Sequence, residues 1–510
     1  MTAPSRPGGG TAPPAGLAAR LRSVPWRQDL PASLVVFLVA VPLCVGVAVA
    51  SGVPAELGLV TGIVGGLVVG LLPGSSLQVS GPAAGLTVLV LEAVREHGLD
   101  SLGALVLATG VLQLGMGLLR IGRWFRAMSA AVVHGMLAGI GLILLFGQLY
   151  ATAGRPAPGT GLGKIAGLPG LLADILTGRS APSPVLLGAG TLLVLLLWPY
   201  LPARVRLLPA PLAAVGLASA VTAIAALPVD RIRVEGLVEV VRIPDASSFA
   251  AVAGPGGAGT VLAFTLIASA ETLFSAAAVD RMHHGPRTDY DRELTAQGVG
   301  NTLCGLLGAL PMTAVIVRSA ANVQAGARSK ASRTLHGVWL LLFAALLPAV
   351  LGLIPVAALA AVLVHAGAKL VPVRRIGALW RDHRGEAVVL AATAGAIIAT
   401  NLFEGVLAGI GLAVLKSAWQ TSHLHIGVED PADPDGPLRV CLTGQATFLR
   451  LPRLLDALER LPADRPVELD WSGLRHLDHA CTVALVTWAA QHRARSTEPL
   501  EVDPPLPTAV

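Results

Sequence analysis

Two charged residues stand where an apolar chain has little use for charge. Arg318 lies in GALPMTAVIVRSAANVQAGARSK, residues 308–330, a segment that breaks at Pro311 and then resumes as an apolar run. Glu271 is the sole carboxylate in the middle of VLAFTLIASAETLFSAAAVD, residues 261–280. An ionisable side chain at bilayer depth costs about 2.5–3.5 kcal/mol on insertion scales and marks a functional site by default. The arginine could meet an anion or a membrane carboxylate, and Glu271 is the one candidate carboxylate. Burial and a nearby Arg318 pull the protonation of Glu271 in opposite senses, so their balance decides whether it carries a proton or stays ionised.

The elements that hold these residues follow from composition. Of 510 residues, 54% are hydrophobic and 13% charged, with mean hydropathy +0.70, which excludes an ordinary soluble domain of about 25% charge. The net charge of +6 comes from short basic clusters between apolar runs, the pattern of orientation signals and not of a nucleic-acid surface. Apolar stretches near 31–51, 56–72, 79–92, 101–119, 127–150, 184–200, 207–227, 260–279, 291–308, 313–325, 334–352, 355–371, 386–400 and 402–420 read as full or partial spans of an all-α polytopic membrane protein. Basic clusters such as Arg120, Arg123 and Arg126, or Arg328, Lys330 and Arg333, follow the even-numbered spans, which places both termini in the cytoplasm. Residues 1–24, rich in Pro, Gly and Ala, read as a disordered cytosolic tail and not as a signal peptide.

The third segment, LQVSGPAAGLTVLVLEAV, and the tenth, PMTAVIVRSAANVQAGA, are short and open on a β-like stretch with Gly or Pro where a span should already be helical. They occupy corresponding places in two sets of seven. Paired interrupted segments are the mark of an inverted-repeat transporter with its site at the midplane. Each half-helix start offers free N–H groups and about +0.5 charge, and Pro82 suits a first helical position because it has no N–H to lose. Two such ends facing each other make an anion site, with Arg318 beside the second.

DLPASLVVFLVAVPLCVGVAVASGVPAELGLVTGIVGGLVVGLLPGSSLQVSGPAAGLTVLV, SAETLFSAAAVD and PMTAVIVRSAANVQAGARSK together resemble the SulP family of inorganic anion transporters, over about residues 25–505. The resemblance implies fourteen spans as a 7+7 inverted repeat. Spans one to four and eight to eleven would form a mobile core domain, and spans five to seven and twelve to fourteen a gate domain. A cytosolic STAS domain would follow. Sulfate, bicarbonate, chloride and dicarboxylates are substrates across the family. It implies an anion between the starts of spans three and ten, at Gly81, Pro82 and Ala83 and at Val317, Arg318 and Ser319. Places that are polar or aromatic in vertebrate members hold Leu43 and Val47 here, so this pocket is less polar. In a sodium-coupled bicarbonate member an eighth-span aspartate, a threonine four residues later and a Gly-Ala-Thr run bind sodium. Here those places hold Glu271, Ser275 and Ala314, Val315, Ile316. The missing hydroxyl at Ile316 and the longer carboxylate disfavour a hard cation that wants several oxygens, and favour proton coupling through Glu271.

From about Ser422 charge and Pro rise, and alternating patterns suggest a small α/β domain over 436–505: strand LRVCLTGQ, helix RLPRLLDALERL, strand PVELDWSGL, helix CTVALVTWAAQHRA, strand PLEVD. It resembles STAS, but the turn that carries a phosphorylated serine in antisigma-type relatives reads Asp478-His479-Ala480-Cys481. Scaffolding or homodimer contacts are therefore the expected role. PGTGLGK at 158–164 lacks the first glycine and the final hydroxyl of a Walker A loop, and GPGGAG at 254–259 has no lysine, so ATP-driven transport is not expected. Cys44, Cys304, Cys441 and Cys481 have no CxxC spacing, and His283 and His284 read as solvated, so no metal or other cofactor is expected. The reading is a secondary active transporter of sulfate or bicarbonate in the inner or plasma membrane, not an enzyme. An uncoupled anion channel or exchanger and sodium-coupled bicarbonate uptake are the alternatives.

Overall fold

The structure is a computed structural model that describes residues 25–123, 129–202, 204–234, 236, 237, 239–429, 437–462, 465–491, 495 and 496. The tail expected over 1–24, Arg126 and the strand expected at PLEVD lie outside the described residues. The chain divides into two compact units, 1–409 and 410–510.

The first unit is helical. Its principal helices are α1 (Trp26–Ala50), α2 (Ala55–Val64, continued by a π-helical turn at Gly65–Val69), α3 (Thr87–His97), α4 (Leu99–Leu118), α5 (Ala130–Thr152), α6 (Pro182–Leu197), α7 (Ala210–Ile224), α8 (Pro255–Val279), α9 (Tyr290–Leu306), α10 (Ile316–Gln324), α11 (Lys330–Leu346), α12 (Val356–Leu370), α13 (Arg384–Ala399) and α14 (Leu402–Thr421), the last reaching into the second unit. Each apolar stretch read from the sequence thus holds a helix. Among the described residues six helices are by themselves long and apolar enough to cross a membrane. Helix α1 shows why the others need neighbours: Pro42 withholds an amide from its interior, and the turn that follows, Leu43 to Val47, is buried.

Two short strands sit where the third and tenth segments break. Ser80–Pro82 forms β1 and Met312–Ala314 forms β2, paired antiparallel with Ser80 opposite Ala314, Gly81 opposite Thr313 and Pro82 opposite Met312. Backbone in an apolar interior must find partners, and each broken segment finds them in the other. Pro82 therefore ends a strand and does not open a helix. Ala83 is still extended, a 3₁₀ turn spans Ala84–Leu86, and α3 starts only at Thr87.

Buried polar side chains clamp this ladder. Asn301 of α9 grips Met312 at both backbone groups, accepting from its amide at 2.7 Å and donating to its carbonyl at 3.1 Å. Thr61 of α2 donates to the Leu310 carbonyl at 3.0 Å, and Gln297 of α9 donates to the Ser80 hydroxyl at 2.6 Å. Asp29, in the first turn of α1, accepts from the amides of Arg328 and Ser329 and so holds the turn in which Ser329 caps α11 through the Ala331 amide. Around this centre α4 lies along α9, α11 along α1 and α2, and α5 between α12 and α13.

The second unit carries strands β3 (Leu424–Glu429), β4 (Leu438–Ala446), β5 (Val467–Leu477) and β6 (Arg495–Ser496) in the order β3-β4-β5-β6, with the first pair antiparallel and the other two parallel. Helices α15 (Leu451–Glu459) and α16 (His479–Gln491) are the crossovers between the parallel strands. Alternation along β4 turns Leu438, Val440 and Leu442 inward onto Leu454, Leu458, Leu485 and Trp488. Strand β3 was not expected from the sequence. LHIGVE follows directly on an apolar helix, and exposed and half-buried residues fill most of it, so its pattern is weak. Asp478 caps α16 through the Cys481 amide at 2.9 Å and also accepts from the Phe448 amide. Burial works against its charge, but these amides outweigh that and hold its carboxyl below the usual range.

Candidate functional site

The 3₁₀ turn that leads into α3 and the start of α10 face one cavity of about 70 Å³. A single water needs at least about 10–15 Å³ on such a measure, so the space suits a few waters or one small polyatomic ion. Nine of the residues singled out in the sequence line it: Leu43 and Val47 of α1, Pro82, Glu271 and Ser275 of α8, and Val315, Ile316, Val317 and Arg318 at the start of α10. Gly81, Ala83 and Ser319 are not among its lining residues. The Ser319 hydroxyl is turned to the ladder, where it accepts from the Val79 amide at 2.9 Å and donates to the Val315 carbonyl at 2.8 Å.

Helical spacing explains the arrangement. Leu43 and Val47 are one turn apart on α1, as are Glu271 and Ser275 on α8, so each pair presents a single stripe. Val315 caps α10, which leaves the amides of Ile316, Val317 and Arg318 as the helix's free donors, and all three residues border the cavity. Ala84 and Gly85 of the 3₁₀ turn border it from the other side. Two positive helix ends therefore point into one space, and the Arg318 guanidinium adds a full charge.

Arg318 is completely buried. Its Nη2 donates to the Pro82 carbonyl at 3.3 Å, so the arginine of one broken segment reaches the strand of the other. Its Nε and Nη1 have no hydrogen-bond acceptor, although the Cys44 thiol and His336 lie within electrostatic reach of the guanidinium. Glu271 is half-buried and lines the cavity; the Thr313 hydroxyl lies beside its carboxylate, whose Oε2 is buried without a partner. The Ser275 hydroxyl is likewise buried and unpartnered. Arg318 and Glu271 do not form an ion pair, so both keep polar atoms for something else. Buried polar groups are nearly always satisfied, and four orphaned atoms around one cavity describe a site that a ligand completes.

Two glycines make the arrangement sterically possible. A Cβ on Gly81 would collide with Arg318 Nη1, and one on Gly85 would stand 2.6 Å from both carboxylate oxygens of Glu271. Gly85 was missed in the sequence, as were Phe274 of α8, Met136 and Leu137 of α5, and Ala366 and Leu370 of α12, which complete the wall. An apolar residue in an apolar helix carries no signal of which cavity it faces. Gly85 had one: it follows SGPAA just where the broken segment turns into a helix.

Residues 26–393 match the family model described as the sulfate permease family. The chain belongs to the sulfate permease family. It is accordingly a multi-pass membrane transport protein and not an enzyme. It is 27% identical over 365 residues to the bicarbonate transporter BicA of Picosynechococcus sp., covering 68% of this chain and 62% of BicA. It is 26% identical over 495 residues to the sodium-independent sulfate anion transporter of Bos taurus, covering 90% of this chain and 80% of that protein. Its fold is similar to that of the murine Slc26a9 anion transporter solved in an inward-facing state, with a TM-score of 0.74 at 17% identity over 95% of this chain and 89% of the other.

Proposed function

We propose that this chain is a secondary active transporter of sulfate or bicarbonate in the plasma membrane, coupled to protons through Glu271 and working by elevator-type alternating access. The observation that carries the reading is the set of orphaned polar atoms around one cavity: two donors of Arg318 for the anion, and Oε2 of Glu271 for the proton. Sodium fits less well, because Ile316 presents no hydroxyl and Ser275 is the one neutral side-chain oxygen lining the cavity. Anion entry into a cell that is negative inside works against about 2.3 kcal/mol per charge per 100 mV, so uptake needs a compensating cation.

Packing supports alternating access. Helix α1 joins α6, α7 and α12 in one apolar cluster through Val39, Val41, Leu187, Ala214 and Leu359. Helix α8 instead shares the cavity wall with α5 and α12, through Phe274, Met136 and Ala366. A site closed on one side and looser on the other is what a core moving against a gate would show. The fourteen helices are read as 7+7 spans with both termini cytoplasmic. The second unit is read as a STAS domain that supplies scaffolding or homodimer contacts.

The test is uptake of labelled sulfate or bicarbonate into proteoliposomes in sodium-free buffer under an inward proton gradient. Wild type should be accelerated by the gradient. Glu271→Gln, which mimics the protonated acid, should keep anion exchange and lose that acceleration. A glutamine variant that still responds to the gradient, or wild-type uptake that requires sodium at constant pH, would overturn the coupling assignment.

A further inference from the structure

Glu271 lies against Gly85 of the first broken segment, so its protonation can act there directly, but the second segment, which carries Arg318, needs a carrier. Thr313 is the middle residue of β2, completely buried, and lies opposite Gly81 in the ladder between the two broken segments. Its hydroxyl donates to the Ala314 carbonyl at a long 3.4 Å, and the Glu271 carboxylate lies close beside it as an alternative acceptor. The neighbouring residue on α8 holds the same strand, because the Thr272 hydroxyl accepts from the Ala314 amide at 3.3 Å. The Thr272 carbonyl accepts from Gln78 at 2.9 Å, just ahead of β1. Helix α8 is therefore stitched to β2 and to the chain just ahead of β1 at the turn that carries Glu271. From Ala314 the chain runs through the Val315 cap directly into α10 and Arg318.

We propose that Thr313 is a positioning residue that transmits the protonation of Glu271 to the strand pair and so to the anion site; this rests on the proton-coupling reading above. A threonine hydroxyl has one proton to donate. An ionised carboxylate takes it, since hydrogen bonds to a charged acceptor are roughly twice as strong as neutral ones. When Glu271 gains a proton from solution it becomes a donor itself, and the Thr313 hydroxyl turns to the Ala314 carbonyl, the peptide that leads into α10. No bond other than hydrogen bonds changes. The charged group sharing the cavity with Glu271 is Arg318, and the titratable groups around that guanidinium are Cys44 on α1 and His336 on α11. Thr313 does not titrate and does not line the cavity, which separates its role from theirs.

Thr313→Val and Thr313→Ser are compared with wild type in sodium-free proteoliposomes. Three quantities are read: equal-pH exchange of labelled anion, net uptake under an inward proton gradient, and the infrared carboxyl band that Glu271→Gln removes. Thr313→Val should keep exchange within a few-fold while its response to the gradient falls about tenfold, the loss expected for one hydrogen bond to a charged group. Its carboxyl band should move, and Thr313→Ser should behave as wild type in all three. A valine variant with a wild-type gradient response or an unmoved band overturns the inference. Should the valine variant fail to insert, Thr313→Ala is read by the same band, with the same two outcomes. If Glu271→Gln loses the gradient response and Thr313→Val keeps it, only this inference fails. If wild type ignores the gradient, the coupling reading fails and this inference with it.

Discussion

The two broken segments share one frame and contribute opposite things to it. Each runs from a three-residue strand into a short helix, and the strands pair antiparallel so that both helix starts meet at one cavity. The first segment brings Gly81, Pro82, Ala83, Ala84 and Gly85, none with a charge or a long side chain. The second brings Arg318, whose guanidinium occupies the room left at Gly81 and bonds the Pro82 carbonyl. Glu271 in turn occupies the room left at Gly85. One half supplies space and the other supplies charge. Two similar strand-to-helix frames can thus make an asymmetric site.

Substituting the two glycines tests this division most severely. Gly85→Val should reduce transport more than tenfold, because even its first carbon lies within 2.6 Å of both Glu271 oxygens and a buried carboxylate has little room to retreat. Gly85→Ala should chiefly weaken the proton-gradient response, and Gly81→Ala chiefly the anion affinity, since the one displaces Glu271 and the other Arg318. Uptake kinetics with and without the gradient separate the two, and identical kinetic defects would show that the glycines serve packing alone.

The smallest effect on transport is expected away from the site. Asp478→Ala should leave uptake nearly unchanged while loosening the start of α16 by about 1 kcal/mol, the usual worth of a helix cap. Because the folded protein holds the Asp478 carboxyl below its usual range, the stabilisation is complete above the ordinary carboxylate range and fades as pH falls through the lowered value. Hydrogen exchange of residues 479–491 in the full-length protein should show lost protection in the variant at neutral pH and convergence with wild type at strongly acid pH. Equal protection at neutral pH would remove Asp478 as a cap.

Much of this was legible in the sequence because membrane burial makes charge conspicuous. Arg318 and Glu271 stood out for that reason, and the broken segments stood out because Gly and Pro interrupt long apolar runs. The ladder between β1 and β2 was legible only as two β-like stretches. Its register depends on Asn301, Thr61 and Thr272, polar residues that could equally have satisfied themselves within their own helices. Pro82 was misjudged as a helix start because a proline ending a strand and a proline opening a helix both forgo the same amide. Ser319 looked like a site residue by its place beside Arg318, but the next position along a helix points some 100° away, toward the ladder.

The central claim, that Arg318 supplies the charge an anion meets in this cavity, is tested most directly by equilibrium binding of sulfate and bicarbonate to the purified protein in lipid nanodiscs. Wild type, Arg318→Lys and Arg318→Ala would be titrated at one pH and two salt concentrations. The alanine variant should remain folded and bind at least about tenfold more weakly, the loss of one charge-assisted contact, and lysine should restore part of the affinity because it returns the charge without the guanidinium fork. Wild-type affinity in the folded alanine variant would contradict the account.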